Sequence, residues 1–232
     1  MKLILIGCEY AGTTTLGLAI HDWLRMETGT GFSLIHDHWK LPDTSGHLPT
    51  DTAHNLTDEE MGQVVALSPK LKEMTQRHSL YYHTPRGVDD HNSLMIGYHF
   101  DDGIYGPLYF GYGRPTDPED RSVLGRYMEH ALLEHAPETV LVLLKASSDV
   151  IRARMKENPH HRGVLQEKDV ELVLERFDYE LRHSLIARKL TLDTGAATIE
   201  ESVAEFVEKV QPHLTLSDSS RMMLHRARRA AG

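Results

Sequence analysis

A three-layer α/β/α fold around a parallel, five-stranded sheet is what this 232-residue sequence predicts. Three observations carry that expectation. Apolar runs alternate with segments of helical periodicity along most of the chain. One run, Thr139–Leu144, is apolar throughout after its threonine, as a strand covered on both faces must be. The first run, Lys2–Ile6, passes straight into a glycine-bracketed loop and then a helix, the start of a βα unit.

Each element has its own signal. Lys2–Ile6 reads as the first strand. A helix from Thr13 to about Met26 places Leu16, Ala19, Ile20, Trp23 and Leu24 on one face, and Gly29 and Gly31 punctuate its end. Phe32–His36 is the second strand, followed by a Pro, Asp, Thr and Gly-rich loop from Leu41 to Leu56. Thr57–Glu60 has the capping-box pattern, and Ser68-Pro69 sets an N-cap before a first-turn proline. That second helix carries Leu71, Met74, His78 and Tyr81 or Tyr82 on one side and stops before Thr84-Pro85-Arg86-Gly87. Ser93–Tyr98 reads as the third strand, His99–Gly113 as a Gly/Tyr-rich loop and Asp120–His135 as a helix. After the Thr139–Leu144 strand, Ser147 or Ser148 caps a helix to about Met155. A polar loop, Lys156–Gly163, leads to a long helix from about Glu167 to Arg188. Leu190–Asp193 is the fifth strand, and Thr198–Glu201 is a capping box before the last apolar-faced helix. A single domain spans 1–212; residues 213–232 form a basic tail, a helix or a frayed end, with no acid after Asp218.

Composition bounds the function. Hydrophobic content of 40% and charged content of 25% fit an ordinary globular protein. A net charge of −9 argues against non-specific nucleic-acid binding. No apolar run approaches the roughly 18 residues of a membrane span. No secretory leader is expected, because an apolar strand begins at Lys2. One cysteine, Cys8, excludes an intrachain disulfide and fits a reducing cytoplasm. The sixteen histidines are mostly scattered singly and read as surface or satisfied side chains.

The loop after the first strand is Gly7-Cys8-Glu9-Tyr10-Ala11-Gly12-Thr13-Thr14. It fits the phosphate-loop template G-x-x-x-x-G-K-[ST] at every position but one: Thr13 stands where the lysine belongs. Gly7, Gly12, Thr13, Thr14 and Thr15 thus form a cradle of backbone N–H groups at a helix N-terminus, without its fixed cation. Lys40 after the second strand and Lys145 at the end of the fourth lie at the correct sheet edge to substitute, whereas Lys2 lies at the opposite one. Asp37, at the end of the second strand, faces the same edge and is a candidate base.

Four stretches together resemble the P-loop kinases of the nucleoside, nucleotide and small-metabolite group. They are the strand–loop–helix at Lys2–Leu24, the strand and arginine-bearing helix at Leu141–Met155, the helix approach at Gly163–Phe177, and the closing strand, loop and helix at Leu192–Val203. They cover about half of the chain. The resemblance implies ATP and Mg²⁺, with Thr14 supplying a hydroxyl to the metal and Asp101 and Asp102 placed to assist. It implies a lid near 156–165, with Arg152, Arg154 and Arg162 closing over the donor and Asp37 as base. A small-molecule acceptor would lie between the Asp58–His83 helices and the Tyr105–Arg114 loop, where Tyr105 and Tyr109 would stack on it and Arg114 would meet an anion. No nucleic-acid polymer and no membrane is expected as partner, and a homodimer is compatible with the sequence. Ala11-Gly12-Thr13-Thr14 is also close to the Ser-Gly-Thr-Thr of sulfotransferases, which bind a 3′,5′-bisphosphate nucleotide, although Tyr10 stands where that family places Lys or Arg. A nucleotide-binding protein without turnover is the third reading.

Overall fold

The first apolar run becomes the middle of the sheet. In the computed structural model, which describes residues 1–37, 41–42, 47–48, 56–85, 87, 91–160 and 163–231, β1 (Lys2–Gly7) lies between β4 (Ser93–Ile96) and β5 (Val140–Lys145). Both pair with it in parallel; Ile4 faces Met95 on one side and Leu141 on the other. Outside them run β2 (Leu34–His36) and β6 (Arg188–Asp193), also parallel. The five parallel strands match the expectation. A two-residue strand, β3 (His47–Leu48), adds an antiparallel edge to β2. Most of the expected loop from Leu41 to Leu56 lies outside the described residues.

One layer of helices is α1 (Thr13–Thr28) with α8 (Ile199–Val210) and α9 (Leu216–Ala231). The other holds α4 (Tyr98–Tyr105), α5 (Arg121–His135) and α7 (Val170–His183), with α3 (Pro69–His83) against α4 and α6 (Ser148–Glu157) against α7. The remaining helix, α2 (Asp58–Ala66), precedes α3. The chain leaves β1 toward β2 and leaves β4 toward β5, so adjacent strands send their connections opposite ways. Such a switch point opens a crevice at the strands' carboxyl ends.

Local signals explain the helix starts. Thr57 and Glu60, and Thr198 and Glu201, exchange the reciprocal bonds of capping boxes. Ser68 and Ser147 cap α3 and α6 by accepting from Leu71 and Val150 N–H.

Two expectations are corrected. The third strand stops at Ile96, and most of the supposed 99–113 loop is α4 followed by a π-helical turn, Gly106–Phe110. Gly97, at φ 90°, turns the strand directly into α4, and a Cβ there would stand 2.5 Å from the Asp101 carboxyl carbon. The long helix ends at His183 rather than Arg188, and Leu185 N–H leaves it to donate to the Glu129 carboxylate. Of the two alternatives for the C-terminal stretch, the structure has the helix, α9. Met222 is buried, the Met1 ammonium pairs with buried Asp218 at 2.6 Å, and Arg226 pairs with Glu27 at the end of α1.

Two buried polar groups brace the α3–α4–α5 layer. The Arg121 guanidinium bridges Glu73 (3.0 Å) and Asp102 (2.5 Å), and the Tyr112 hydroxyl donates to Asp102 at 2.6 Å. Burial pushes the Asp102 carboxyl up, an effect that Arg121 and Tyr112 oppose. His99 lies 3.7 Å from buried Glu129. Burial pushes its imidazole down from 6.5 to about 4, with Glu129 opposing. Between those values the unfolded chain holds a proton that the folded one refuses. The stability tied to His99 is therefore complete above about 6.5 and falls as pH drops toward about 4, by up to about 3 kcal/mol. Urea unfolding across that range should show this decline in the wild type and a flatter profile in His99→Gln; equal slopes would refute the assignment.

Candidate functional site

The loop that follows β1 makes a tight turn into α1 and carries no lysine. At Gly7 a Cβ would stand 3.0 Å from the Leu144 carbonyl oxygen and 3.2 Å from the Thr13 methyl, so the turn has no room for one. Tyr10 (φ 69°) and Gly12 (φ 90°) take left-handed backbone, and Ala11 N–H closes onto the Cys8 carbonyl at 2.8 Å. The Glu9 N–H is already engaged, by the Tyr105 hydroxyl at 3.0 Å. The first intrahelical bond of α1 runs from Leu16 to Gly12. Gly12 offers no side-chain cap, so the N–H groups of Thr13, Thr14 and Thr15 have no partner among the described residues. These donors, with the positive end of the helix dipole, open on a cavity of about 610 Å³.

Four segments wall this cavity: Glu9–Leu16, Asp37 with Leu41 and Pro42, the end of α6 with its connection to α7, and the Thr194–Ser202 turn after β6. The Thr14 hydroxyl donates to Asp37 at 2.5 Å, placing two hard oxygens at the mouth of the loop. Arg154 donates to the Tyr10 carbonyl (3.0 Å) and the Thr194 carbonyl (2.5 Å), and the Thr194 hydroxyl donates to the Ala11 carbonyl. Gly7 closes the turn beneath, and Gly12, Thr13, Thr14, Thr15, Asp37 and Arg154 meet at this one site.

Other expected residues lie elsewhere. Arg152 is two positions from Arg154, roughly 200° around the helix, and pairs with Glu171 at 2.6 Å outside the cavity. Asp102 is locked to Arg121 and Tyr112, and buried Asp101 packs in the first turn of α4; neither lines the cavity. Tyr105 is buried, and burial pushes its phenol well up. Burial also pushes the Tyr109 phenol up to about 12, so it donates to Asp169 (3.0 Å) while accepting from Gln166 N–H (3.2 Å). Arg114 is exposed beyond the π-helical turn. None of Tyr105, Tyr109 and Arg114 reaches the cavity, because the segment expected as a stacking loop is a buried helix. Of the substitute cations, Lys145 pairs with Asp178 at 2.7 Å and does not line the cavity, and Lys2 pairs with Glu138. Lys40 and Arg162 lie outside the described residues.

Sequence reasoning missed the contacts that cover the loop. The Glu9 carboxylate, nearly buried, accepts the N–H groups of Val164 (3.1 Å) and Leu165 (2.9 Å). The Tyr10 hydroxyl accepts His160 N–H at 3.0 Å, and the two rings stack at 4.0 Å. Glu9 and Tyr10 occupy free positions of the loop template, so no motif flagged them. Gly163 sits inside this contact; a Cβ would stand 3.0 Å from the Tyr10 hydroxyl and 3.1 Å from a Glu9 carboxylate oxygen.

No protein-family model and no curated protein sequence matches the chain. Solved structures do. The YorR protein of Bacillus subtilis, in complex with phosphorylated GDP, is similar at a TM-score of 0.52 and 15% identity, over 92% of this chain and 99% of that one. Thymidylate kinase from Candida albicans matches at 0.52 and 15%, over 92% of this chain and 93% of its own. Thymidylate kinase from Ehrlichia chaffeensis matches at 0.51 and 12%, over 90% and 98%. At such identities the likeness is one of fold: the chain shares the fold of these two thymidylate kinases and of the YorR protein. Among the described residues no helix is long and apolar enough to cross a membrane.

The Glu9 contacts predict a local effect. Glu9→Ala leaves two backbone donors without their acceptor, a loss of about 1–3 kcal/mol. The Val164 and Leu165 amides should then exchange with solvent about fivefold faster or more, while amides in β1 and β5 keep their relative order of protection. Unchanged exchange at 164 and 165 would show that Glu9 does not hold this segment.

Proposed function

We propose that the protein is an ATP-dependent phosphotransferase of the nucleoside- or nucleotide-kinase kind, acting on a small-molecule acceptor in the cytoplasm. The observation that carries this reading is the set of uncapped N–H groups at Thr13–Thr15 beside a carboxylate, Asp37, on one cavity. The fold shared with two thymidylate kinases supports it. The buried single cysteine fits a reducing compartment.

In this reading the N–H groups of Thr13, Thr14 and Thr15 bind phosphate oxygens of the donor. Arg154 keeps the loop open by holding the Tyr10 carbonyl outward to itself. Asp37 takes the proton of the acceptor group that attacks the terminal phosphorus, while the bridging P–O bond breaks and its electron pair leaves with ADP. The acceptor then lies on the Asp37, Leu41 and Pro42 wall rather than beside Tyr105. The Thr14–Asp37 oxygen pair fits a hard cation: Mg²⁺ held there would neutralise the phosphate oxygens. Few protein ligands are needed for that metal, and among the described residues no cluster of three or more His, Cys, Asp or Glu is built for one.

Two measurements test this. A thermal-shift panel with ATP, GTP, ADP and adenosine 3′,5′-bisphosphate, each with and without Mg²⁺, should show a Mg²⁺-dependent response to a triphosphate. Ligand at about a hundred times its dissociation constant adds about 2.7 kcal/mol. A Mg²⁺-independent response to the bisphosphate alone would replace the reading with sulfuryl transfer, and silence toward every nucleotide would end it. With an acceptor in hand, Asp37→Asn should lower turnover by about 10²–10⁴.

A further inference from the structure

The missing lysine leaves a cavity that is poor in cations. Among the described residues, its walls carry the carboxylates of Glu9, Asp37 and Glu157 against two groups able to hold positive charge, Arg154 and His160. Arg154 has a structural task, since two of its guanidinium nitrogens bind the Tyr10 and Thr194 carbonyls. His160 is placed differently. Its ring lies on Tyr10 at 4.0 Å and 18°, directly beside the phosphate loop. Its Nδ1 stands 3.4 Å from the Glu9 carboxylate, and its backbone N–H is fixed by the Tyr10 hydroxyl. Its other ring nitrogen has no partner among the described residues, and its side chain is 46% exposed. Gly163 lets the segment come this close.

Resting on the phosphotransferase reading, we infer that His160 is the cation that replaces the loop lysine, positioned by Glu9 and Tyr10 and available to the donor's phosphates through its unpartnered nitrogen. The groups facing it are Glu9 and Tyr10 from the loop, Arg154 and Glu157 from α6, and Asp37 across the cavity. A histidine carries charge on the acid side of neutrality. A loop lysine would stay charged throughout that range. Donor binding in this protein therefore acquires a pH dependence that a lysine-bearing loop lacks.

The test is the dissociation constant of ATP with Mg²⁺ for the full chain, at about pH 6 and about pH 8 and constant ionic strength. It is measured for the wild type, His160→Gln and His160→Arg, with each variant's fold checked by circular dichroism. Because the ligand's own ionisation is the same in all three, differences between the proteins report on position 160. The wild type should bind about tenfold or more tightly at the lower pH relative to His160→Gln, and converge with it at the higher. His160→Arg should bind tightly at both. A His160→Gln variant that keeps the wild-type affinity and pH profile overturns this inference and leaves the phosphotransferase reading standing. A wild type that binds no triphosphate at either pH overturns both.

Discussion

A nearly buried carboxylate inside the phosphate loop determines how the rest of the site is built. Glu9 cannot lie there without donors, because burying an unpartnered carboxylate is far more costly than pairing it. The Val164 and Leu165 amides and the His160 ring answer that need, so the segment after α6 must come down onto the loop. Gly163 suits this approach, since a Cβ there would press on the ends of the Glu9 and Tyr10 side chains. Arg154 fastens the same loop from the helix side, and Thr194 ties it to the turn after β6. The loop, the cover and the closing turn thus share one set of hydrogen bonds.

Behind the loop stands a rigid wall. The Tyr105 hydroxyl takes the Glu9 N–H, which couples the loop to α4. In turn α4 is joined to α3 and α5 through Asp102, Arg121 and Glu73, all buried. Buried ion pairs add little over apolar packing, but removing one partner leaves a stranded charge and costs about 3–5 kcal/mol. The layer therefore tolerates little rearrangement.

What could be read from the sequence divides along this line. Glycines at 7 and 12, the capping boxes at Thr57 and Thr198, and the apolar β5 run are local signals, and each produced the element it announced. The helix α4 was hidden because Tyr98, Phe100, Asp101, Asp102, Ile104 and Tyr105 are all buried, so it shows no polar face and no helical period. Its glycines at 103 and 106 then read as loop. Arg152 and Arg154 were indistinguishable as residue types; only the helix's orientation separates an outer ion pair from a loop anchor. The Glu9 contacts leave no residue signature in the cover at all, because Val164 and Leu165 contribute backbone N–H groups that any residue except proline would offer.

The exchange of lysine for Thr13 has a consequence for charge that follows from the wall residues alone. Among the described residues, and with His160 neutral, three carboxylates (Glu9, Asp37, Glu157) line the cavity against one guanidinium (Arg154), a net of −2. The end of α1 offsets this by only about half a charge. A polyphosphate meeting such a wall is repelled unless it arrives with a cation or finds one. Charging His160 brings the sum to −1, and a divalent ion at the Thr14–Asp37 oxygens brings it above zero. A P-loop with its lysine holds part of this compensation permanently. Here Thr13 is neutral, its methyl packed toward Gly7. On the proposed reading, affinity for the donor then depends on two separable supplies of positive charge, proton and metal.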